Sequence, residues 1–258
     1  MAAIAMLGDA VEVVPCALSA EVFEAVRAGR VDAAVLPIEN SLHGSVAEHY
    51  DLLFENAVRI DAESQLRIRH NLIAMPGVKL EEVRHVISHP VALSQCRKYL
   101  AGMKDVSVMP FYDTAGSVKH VMAEGLGDTA GVAPELAAKE YGAVVLVAGM
   151  EDHAENFTRF HLLRREEDAK PEGTDANKMS VAFVVEHKPG TLVRALQGLA
   201  DAGVDLTKIE SRPVPGQPWE YVFYVDFRFS GAASAEAALA ALRAESGLVK
   251  ELGRYVAA

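Results

Sequence analysis

From residue 10 to about residue 165, short apolar runs alternate with stretches of helical period, the pattern of βαβ units around mostly parallel sheets. The apolar runs predict strands over 11–16, 33–38, 66–75, 85–88, 106–111, 131–133, 144–148 and 159–163. Helices are expected over 20–28, 46–55, 91–102, 115–124 and 135–141, with Ser19 and Thr114 as N-caps and Pro90 and Pro134 at first helical positions. The apolar opening over 2–7 reads as the tail of a further helix. These elements divide into two βα sets, the chain crossing outward near His70 and back over 151–160. Two lobes and a cleft follow, lobe 1 covering about 1–70 plus 150–167 and lobe 2 about 71–149.

Residues 164–178 are charged, turn-rich and without large apolar groups, so a domain boundary is expected there. The division is a first domain over 1–167, a linker over 168–178 and a second domain over 179–258. The second domain predicts a strand over 179–185, a helix opened by Pro189, Gly190, Thr191 and Leu192, a strand over 206–211 and a turn over 213–218. A strand over 221–229, a helix over 235–245 and a short strand over 249–255 complete it. That order is βαββαβ, the ferredoxin-like split βαβ. The chain has 258 residues, more than one typical domain of about 100–150, which agrees with the division.

Composition narrows the partners. Half the residues are hydrophobic and 24% are charged, the profile of a soluble globular protein. Thirty-six acidic against 25 basic residues leave a formal charge of −11 with no Lys/Arg stripe, which argues against nucleic acid. The same balance repels a small anion at long range, so a site for one must draw on Arg or on helix N-termini. Cys16 and Cys96 form neither a CxxC nor a disulfide framework, and a reducing cytoplasm is expected. The opening lacks a basic n-region and reaches Gly8 and Asp9 too soon for a signal peptide or a membrane span, so no membrane partner is expected.

The chain contains no GxGxxG after a strand, no Walker loop, no HExxH and no GxSxG. His85 and His89 are separated by a strand-like Val86-Ile87-Ser88, so they do not make a helical metal pair. Four polar clusters remain, most of them at the carboxyl end of a predicted strand, where open α/β sheets place ligands. They are Glu39-Asn40-Ser41 running on to Ser45, Ser88-His89-Pro90 with Gln95, the stretch from Tyr112 through Thr114 to Ser117, and Asn156-Phe157-Thr158-Arg159-Phe160. Each alone reads equally as turn residues, helix caps or a structural Arg–Glu pair.

Taken in order, these clusters resemble the motifs of prephenate dehydratases, and the tail resembles the ACT regulatory domain of that family. The match runs from about residue 8 to the end, and its most specific pieces are Asn156 to Phe160 and Glu210-Ser211-Arg212-Pro213. The resemblance implies a two-lobed catalytic fold like type II periplasmic binding proteins, followed by the βαββαβ domain. It implies a lyase of phenylalanine biosynthesis that needs neither cofactor nor metal, because aromatisation of prephenate to phenylpyruvate supplies the driving force. Thr158 would then donate a proton or hydrogen bond to the leaving hydroxyl, and Arg159 would offer a charge-assisted contact to a carboxylate, unless strand alternation turns it away. Glu39, Asn40, Ser41, Ser88, Gln95, Thr114 and Phe160 fall at substrate-binding positions of the family.

Pro189 to Leu192 resembles the family's Gly-Ala-Leu effector motif, with Thr191 in place of Ala. Gly190, Thr191, Leu192, Glu210, Ser211 and Arg212 are therefore expected to bind phenylalanine between paired tails, giving a homodimer or homotetramer under feedback inhibition. The family usually begins with a strand and a Gly-rich turn ahead of the helix read at 2–7, so the first lobe is expected without its leading strand. Arogenate dehydratase is the alternative enzyme. A non-catalytic amino-acid-sensing regulator is the alternative if the missing segment abolishes activity.

Overall fold

The computed structural model describes residues 1–168, 175–214 and 220–258. The chain forms two compact units, Met1–Leu66 with Thr158–Ala258, and Arg67–Phe157. In chain order the first unit opens with α1 (Ala2–Leu7), α2 (Ser19–Arg27), β1 (Ala34–Asn40), β2 (Gly44–Ser45), α3 (Ala47–Glu55) and β3 (Val58–Arg67). The second unit follows with β4 (Asn71–Ala74), β5 (His85–Ser88), α4 (Pro90–Gln95), α5 (Arg97–Ala101), β6 (Ser107–Pro110), α6 (Thr114–Ala123), β7 (Thr129–Ala133), α7 (Glu135–Tyr141) and β8 (Val144–Val147). The chain returns through β9 (Phe157–Arg165) and ends with β10 (Lys178–Val184), α8 (Thr191–Asp201), β11 (Asp205–Pro213), β12 (Tyr221–Arg228), α9 (Ala232–Glu245) and β13 (Leu248–Tyr255). Among the described residues no helix is long and apolar enough to cross a membrane.

Three sheets organise these elements, with strand orders β2-β1-β9-β3, β6-β5-β7-β4-β8 and β11-β12-β10-β13. Strand β5 pairs in parallel with β6 and with β7, whereas β1 runs antiparallel to β2 and β9, and β4 to β7 and β8. The expectation of mostly parallel sheets is thus corrected. Parallel neighbours require a crossover helix, which α4, α5 and α6 supply, whereas β9 returns to β1 from the other unit and pairs against it.

In the first unit the alternation of strand side chains buries both faces of β10. Met179, Val181 and Phe183 pack with Val225 and Phe227 under Ala195 and Leu199 of α8 and Leu239 and Leu242 of α9. Ala182 faces the other way and joins Val222, Tyr224, Leu252 and Tyr255 against Leu36, Ile38, Tyr50, Leu53 and Ile60. The βαββαβ sheet is therefore covered by its own helices on one face and by the β1–β9–β3 sheet and α3 on the other.

Local chemistry explains where expectations and structure part. The strand expected over 11–16 does not form: no neighbour pairs with it, Pro15 lacks a donor, and Val13 and Val14 are exposed. The single strand expected over 66–75 is the end of β3 plus β4, and β3 itself begins at Val58. The helix expected over 91–102 breaks at Cys96 into α4 and α5. Leu18 rather than Ser19 caps α2, because the Glu21 carboxylate reaches back to the Ala17 and Leu18 N–H groups at 3.0 and 3.3 Å. Asp113 rather than Thr114 caps α6, accepting from the Gly116 N–H at 2.6 Å, and Pro134 stands at the N-cap of α7 rather than inside it. Of the expected linker, 169–174 lie outside the described residues, as do 215–218 of the expected turn.

At one point the two packed sheets touch backbone to backbone. A Cβ on Gly253 of β13 would run into the Ile60 carbonyl oxygen of β3 and come within 2.8 Å of Ile60 Cβ. Gly253→Ala should therefore destabilise the protein by about 1–3 kcal/mol, read as a lower denaturant midpoint at unchanged slope. An unaltered midpoint would show that the two sheets can separate at no cost.

Candidate active site

β1 turns sharply into β2, and the turn is built around Asn40. Asn40 Oδ1 accepts from the Leu42 and His43 N–H groups at 3.0 and 3.1 Å, while Gly44 takes the positive φ of 75° that closes the hairpin. Two backbone donors on the oxygen leave the amide nitrogen pointing across the sheet, where Asn40 pairs in register with Thr158 of β9. Asn40 Nδ2 donates to Thr158 Oγ1 at 3.0 Å. Thr158 oxygen is thus an acceptor in this contact, and among the described residues its own proton has no acceptor. A hydroxyl that accepts one hydrogen bond is a better donor through its own proton. Ser41 is exposed beside this pair, and Phe160 pairs in register with Pro37.

Alternation along β9 sends Arg159 to the opposite face from Thr158. The guanidinium is buried, with Nη1 at 2.6 Å from Asp226 and 3.2 Å from Glu63, and Nη2 at 3.2 Å from Glu39. Lys178 reaches Glu63 at 2.8 Å, and Lys208 reaches Glu39 at 2.8 Å. Three carboxylates thus meet three cations. Ser180 donates to Asp226 at 2.6 Å and lies 2.6 Å from the Tyr255 hydroxyl. Instead of the expected carboxylate of a substrate, Arg159 holds three carboxylates of its own chain, and Glu39 belongs to the same cluster.

His161 lies on the Arg159 side of β9, its Nε2 3.4 Å from the guanidinium. Burial, reinforced by the Arg159 charge, pushes it down to about 3, so it stays neutral. Burial by itself would raise the Asp226 carboxyl, but Arg159 and the Ser180 hydrogen bond more than offset it and hold it below the ordinary carboxylate range.

In the second unit the parallel strands β5, β6 and β7 bring their carboxyl ends to one edge of the sheet. Ser88 ends β5, fully buried, and donates to the Val132 carbonyl at 2.6 Å, so its proton is used within the fold. His89 caps α4 through Nδ1, which accepts from the Val91 N–H at 3.3 Å. Gln95, at the end of α4, is buried with Oε1 2.6 Å from His70 Nε2. Thr114 opens α6, half-buried, next to the Asp113 cap.

The tail contains a cavity of about 330 Å³ lined by Val185, Glu186, His187, Lys188, Thr191, Leu192, Ser211, Tyr221 and Phe223. Gly190 adopts φ 85° at the start of α8, and the Thr191 hydroxyl lies 2.7 Å from the Glu186 carbonyl and 2.9 Å from that of Lys188, closing the turn. Both expected effector motifs reach this cavity, but only in part. Glu210 and Arg212 flank Ser211 on β11 and face the other way: Glu210 accepts from Ser45 at 2.6 Å, and Arg212 pairs with Asp51 at 2.8 Å.

Asn40, Thr158 and Glu39 were legible in advance, whereas Glu63, Lys178, Lys208, Asp226 and His161 carried no sequence signal. They are isolated charges on strands, indistinguishable in sequence from solvated ones.

Comparison with known proteins gives this geometry a family. The prephenate dehydratase family model matches residues 1–168 and the ACT domain model residues 179–247. The chain belongs to the prephenate dehydratase family and carries an ACT domain. It is 42% identical to the Arabidopsis thaliana chloroplastic arogenate dehydratase/prephenate dehydratase 2 over 254 residues, covering 95% of this chain and 66% of that protein. The structure of the Arthrobacter aurescens prephenate dehydratase in complex with L-Phe is similar at TM-score 0.90 and 33% identity, covering 99% of this chain and 85% of that one. GqqA, described as a novel type of quorum quenching acylase, is similar at TM-score 0.89 and 33% identity, covering 99% and 93%.

The buried cluster makes stability depend on pH. Native His161 stays neutral down to about 3, whereas unfolded histidine takes up a proton near 6.5, so its contribution is present above about pH 6.5 and is lost as pH falls toward 3. One proton corresponds to at most about 1.4 kcal/mol per pH unit, and Asp226 adds loss in the same direction at lower pH. Denaturant unfolding across this window should show that slope, and His161→Asn should flatten it above the carboxylate range.

Proposed function

We propose that the chain is a prephenate dehydratase that uses Thr158 as the proton donor, with phenylalanine as its effector. The observation that carries the reading is the Asn40–Thr158 pair at 3.0 Å, in which the amide occupies the threonine lone pair and leaves the hydroxyl proton to be given away. In the reaction the carbon–carboxylate bond breaks, its electron pair enters the ring as CO₂ leaves, and the ring hydroxyl departs with a proton as water. Prephenate dianion plus one proton gives phenylpyruvate, CO₂ and water. A threonine hydroxyl is a weak acid, so its proton moves only as negative charge develops on the departing oxygen, along the hydrogen bond that Thr158 makes to it.

The family reading assigns substrate contacts to Asn40, Ser41, Ser88, Gln95, Thr114 and Phe160. Ser88 acts through its lone pairs and backbone, since its proton is held by Val132. Arg159 and Glu39, paired with each other, act on the hairpin rather than on the substrate. Thr158→Ala should lower kcat for phenylpyruvate formation by about 10²–10⁴-fold, and near-normal turnover would reject the assignment. Rates on prephenate and arogenate measured side by side decide between the two dehydratases.

The 330 Å³ cavity is the proposed phenylalanine site, with Thr191, Leu192 and Ser211 in its wall. Assembly as a homo-oligomer through the tails is supported by β11, an edge strand with Leu206 and Ile209 exposed, and by exposed Val193 on α8. Residence in a reducing cytoplasm accords with Cys16 and Cys96, which are both free thiols. Isothermal titration of the folded protein with L-phenylalanine should show saturable binding. A flat titration on a cooperatively folded sample would remove the effector from the reading.

A further inference from the structure

We propose that Lys208 and Glu210, two residues of the ACT domain, are positioning residues for Thr158, so that the regulatory tail supplies part of the catalytic geometry; this rests on the dehydratase reading above. The short β1–β2 hairpin carries the argument. Its two register pairs are Asn40 with Gly44 and, one step toward its base, Glu39 with Ser45. Lys208 Nζ spans the base pair, 2.8 Å from Glu39 Oε1 and 2.9 Å from Ser45 Oγ. Ser45 in turn donates to Glu210 Oε2 at 2.6 Å. The ammonium also lies 5.6 Å from the centre of the Tyr50 ring, a cation–π contact that fixes it further.

β2 is two residues long, and the turn over 41–44 is exposed. Asn40 follows Glu39 directly, and the direction of its amide decides whether Thr158 receives its hydrogen bond. A shift of the hairpin base thus moves the donor that orients the catalytic hydroxyl, and misplacement by about 1 Å can cost on the order of a hundredfold in rate.

The tail has further contacts to the same unit besides this clamp. Arg212 already pairs with Asp51 of α3, and Lys250 donates to the Leu53, Phe54 and Asn56 carbonyls at its end, at 3.0, 3.0 and 2.6 Å. The clamp also sits one residue from the effector cavity: Ser211 lines that cavity while its neighbour Glu210 holds Ser45. A ligand that displaces β11 at Ser211 therefore acts on the hairpin through the adjoining peptide.

Steady-state phenylpyruvate formation by the full chain tests the clamp. Lys208→Met and Glu210→Leu should each lower kcat by about ten- to a hundredfold with KM little changed, while Lys208→Arg restores most of the rate. Asp51→Asn, which loosens the same interface away from the hairpin, should keep the parental kcat. Ser45→Ala and Glu210→Leu combined should cost little more than Ser45→Ala alone, because both break the Ser45–Glu210 hydrogen bond. If Lys208→Met or Glu210→Leu fails to unfold cooperatively, Ser45→Ala gives the same reading, and parental kcat in that variant overturns the proposal. Parental kcat in folded Lys208→Met and Glu210→Leu, or an equal loss in Asp51→Asn, also overturns it. A parent chain that makes no phenylpyruvate rejects the dehydratase reading itself, and the clamp with it.

Discussion

The Arg159 guanidinium, buried among Glu39, Glu63 and Asp226, is the interaction on which the first unit depends. A buried cation among three carboxylates is tolerable only when the cluster is balanced, and Lys178 and Lys208 provide that balance. The cluster joins strands from both sheets, since Glu39, Glu63 and Arg159 belong to β1, β3 and β9, while Lys178, Lys208 and Asp226 belong to β10, β11 and β12. Removing any one of them leaves uncompensated charge in the interior, which costs about 3–5 kcal/mol in comparable cases. The ACT domain is in consequence packed as part of the same compact unit as the threonine strand.

Period-two alternation is how one strand serves two purposes. On β9, Thr158 turns one way and Arg159 the other, so the hydroxyl that Asn40 holds and the charge that anchors its strand are neighbours in sequence and opposite in space. On β11, Ser211 lines the cavity while Glu210 and Arg212 hold the hairpin and α3. Neither strand can move for one purpose without moving for the other. That coupling follows from backbone geometry and needs no additional element.

Much of the fold was legible along the chain. The strand at His85–Ser88 and the helix at Glu135–Tyr141 fall where periodicity placed them, and the tail has the βαββαβ order expected of it. Expectations failed where a partner, rather than a pattern, decides the outcome. Residues 11–16 have the composition of a strand but no neighbour to pair with, and Glu21 outcompetes Ser19 as the organiser of a helix start because its longer side chain reaches two backbone donors.

For the site, the sequence by itself determined the polar residues at the strand ends, their order, and hence the family; Asn40 and Thr158 could be named from it. Only the tertiary structure decided that these two side chains meet, that Arg159 turns inward, and that Lys208 and Glu210 reach the hairpin. The physical reason is separation. Glu39 lies 120 residues from Arg159 and 169 from Lys208, and alternation sets which residues share a face without saying which face another sheet will cover. A charge on a strand reads in sequence as a solvated one until a second sheet, closing over it, supplies its counter-charges.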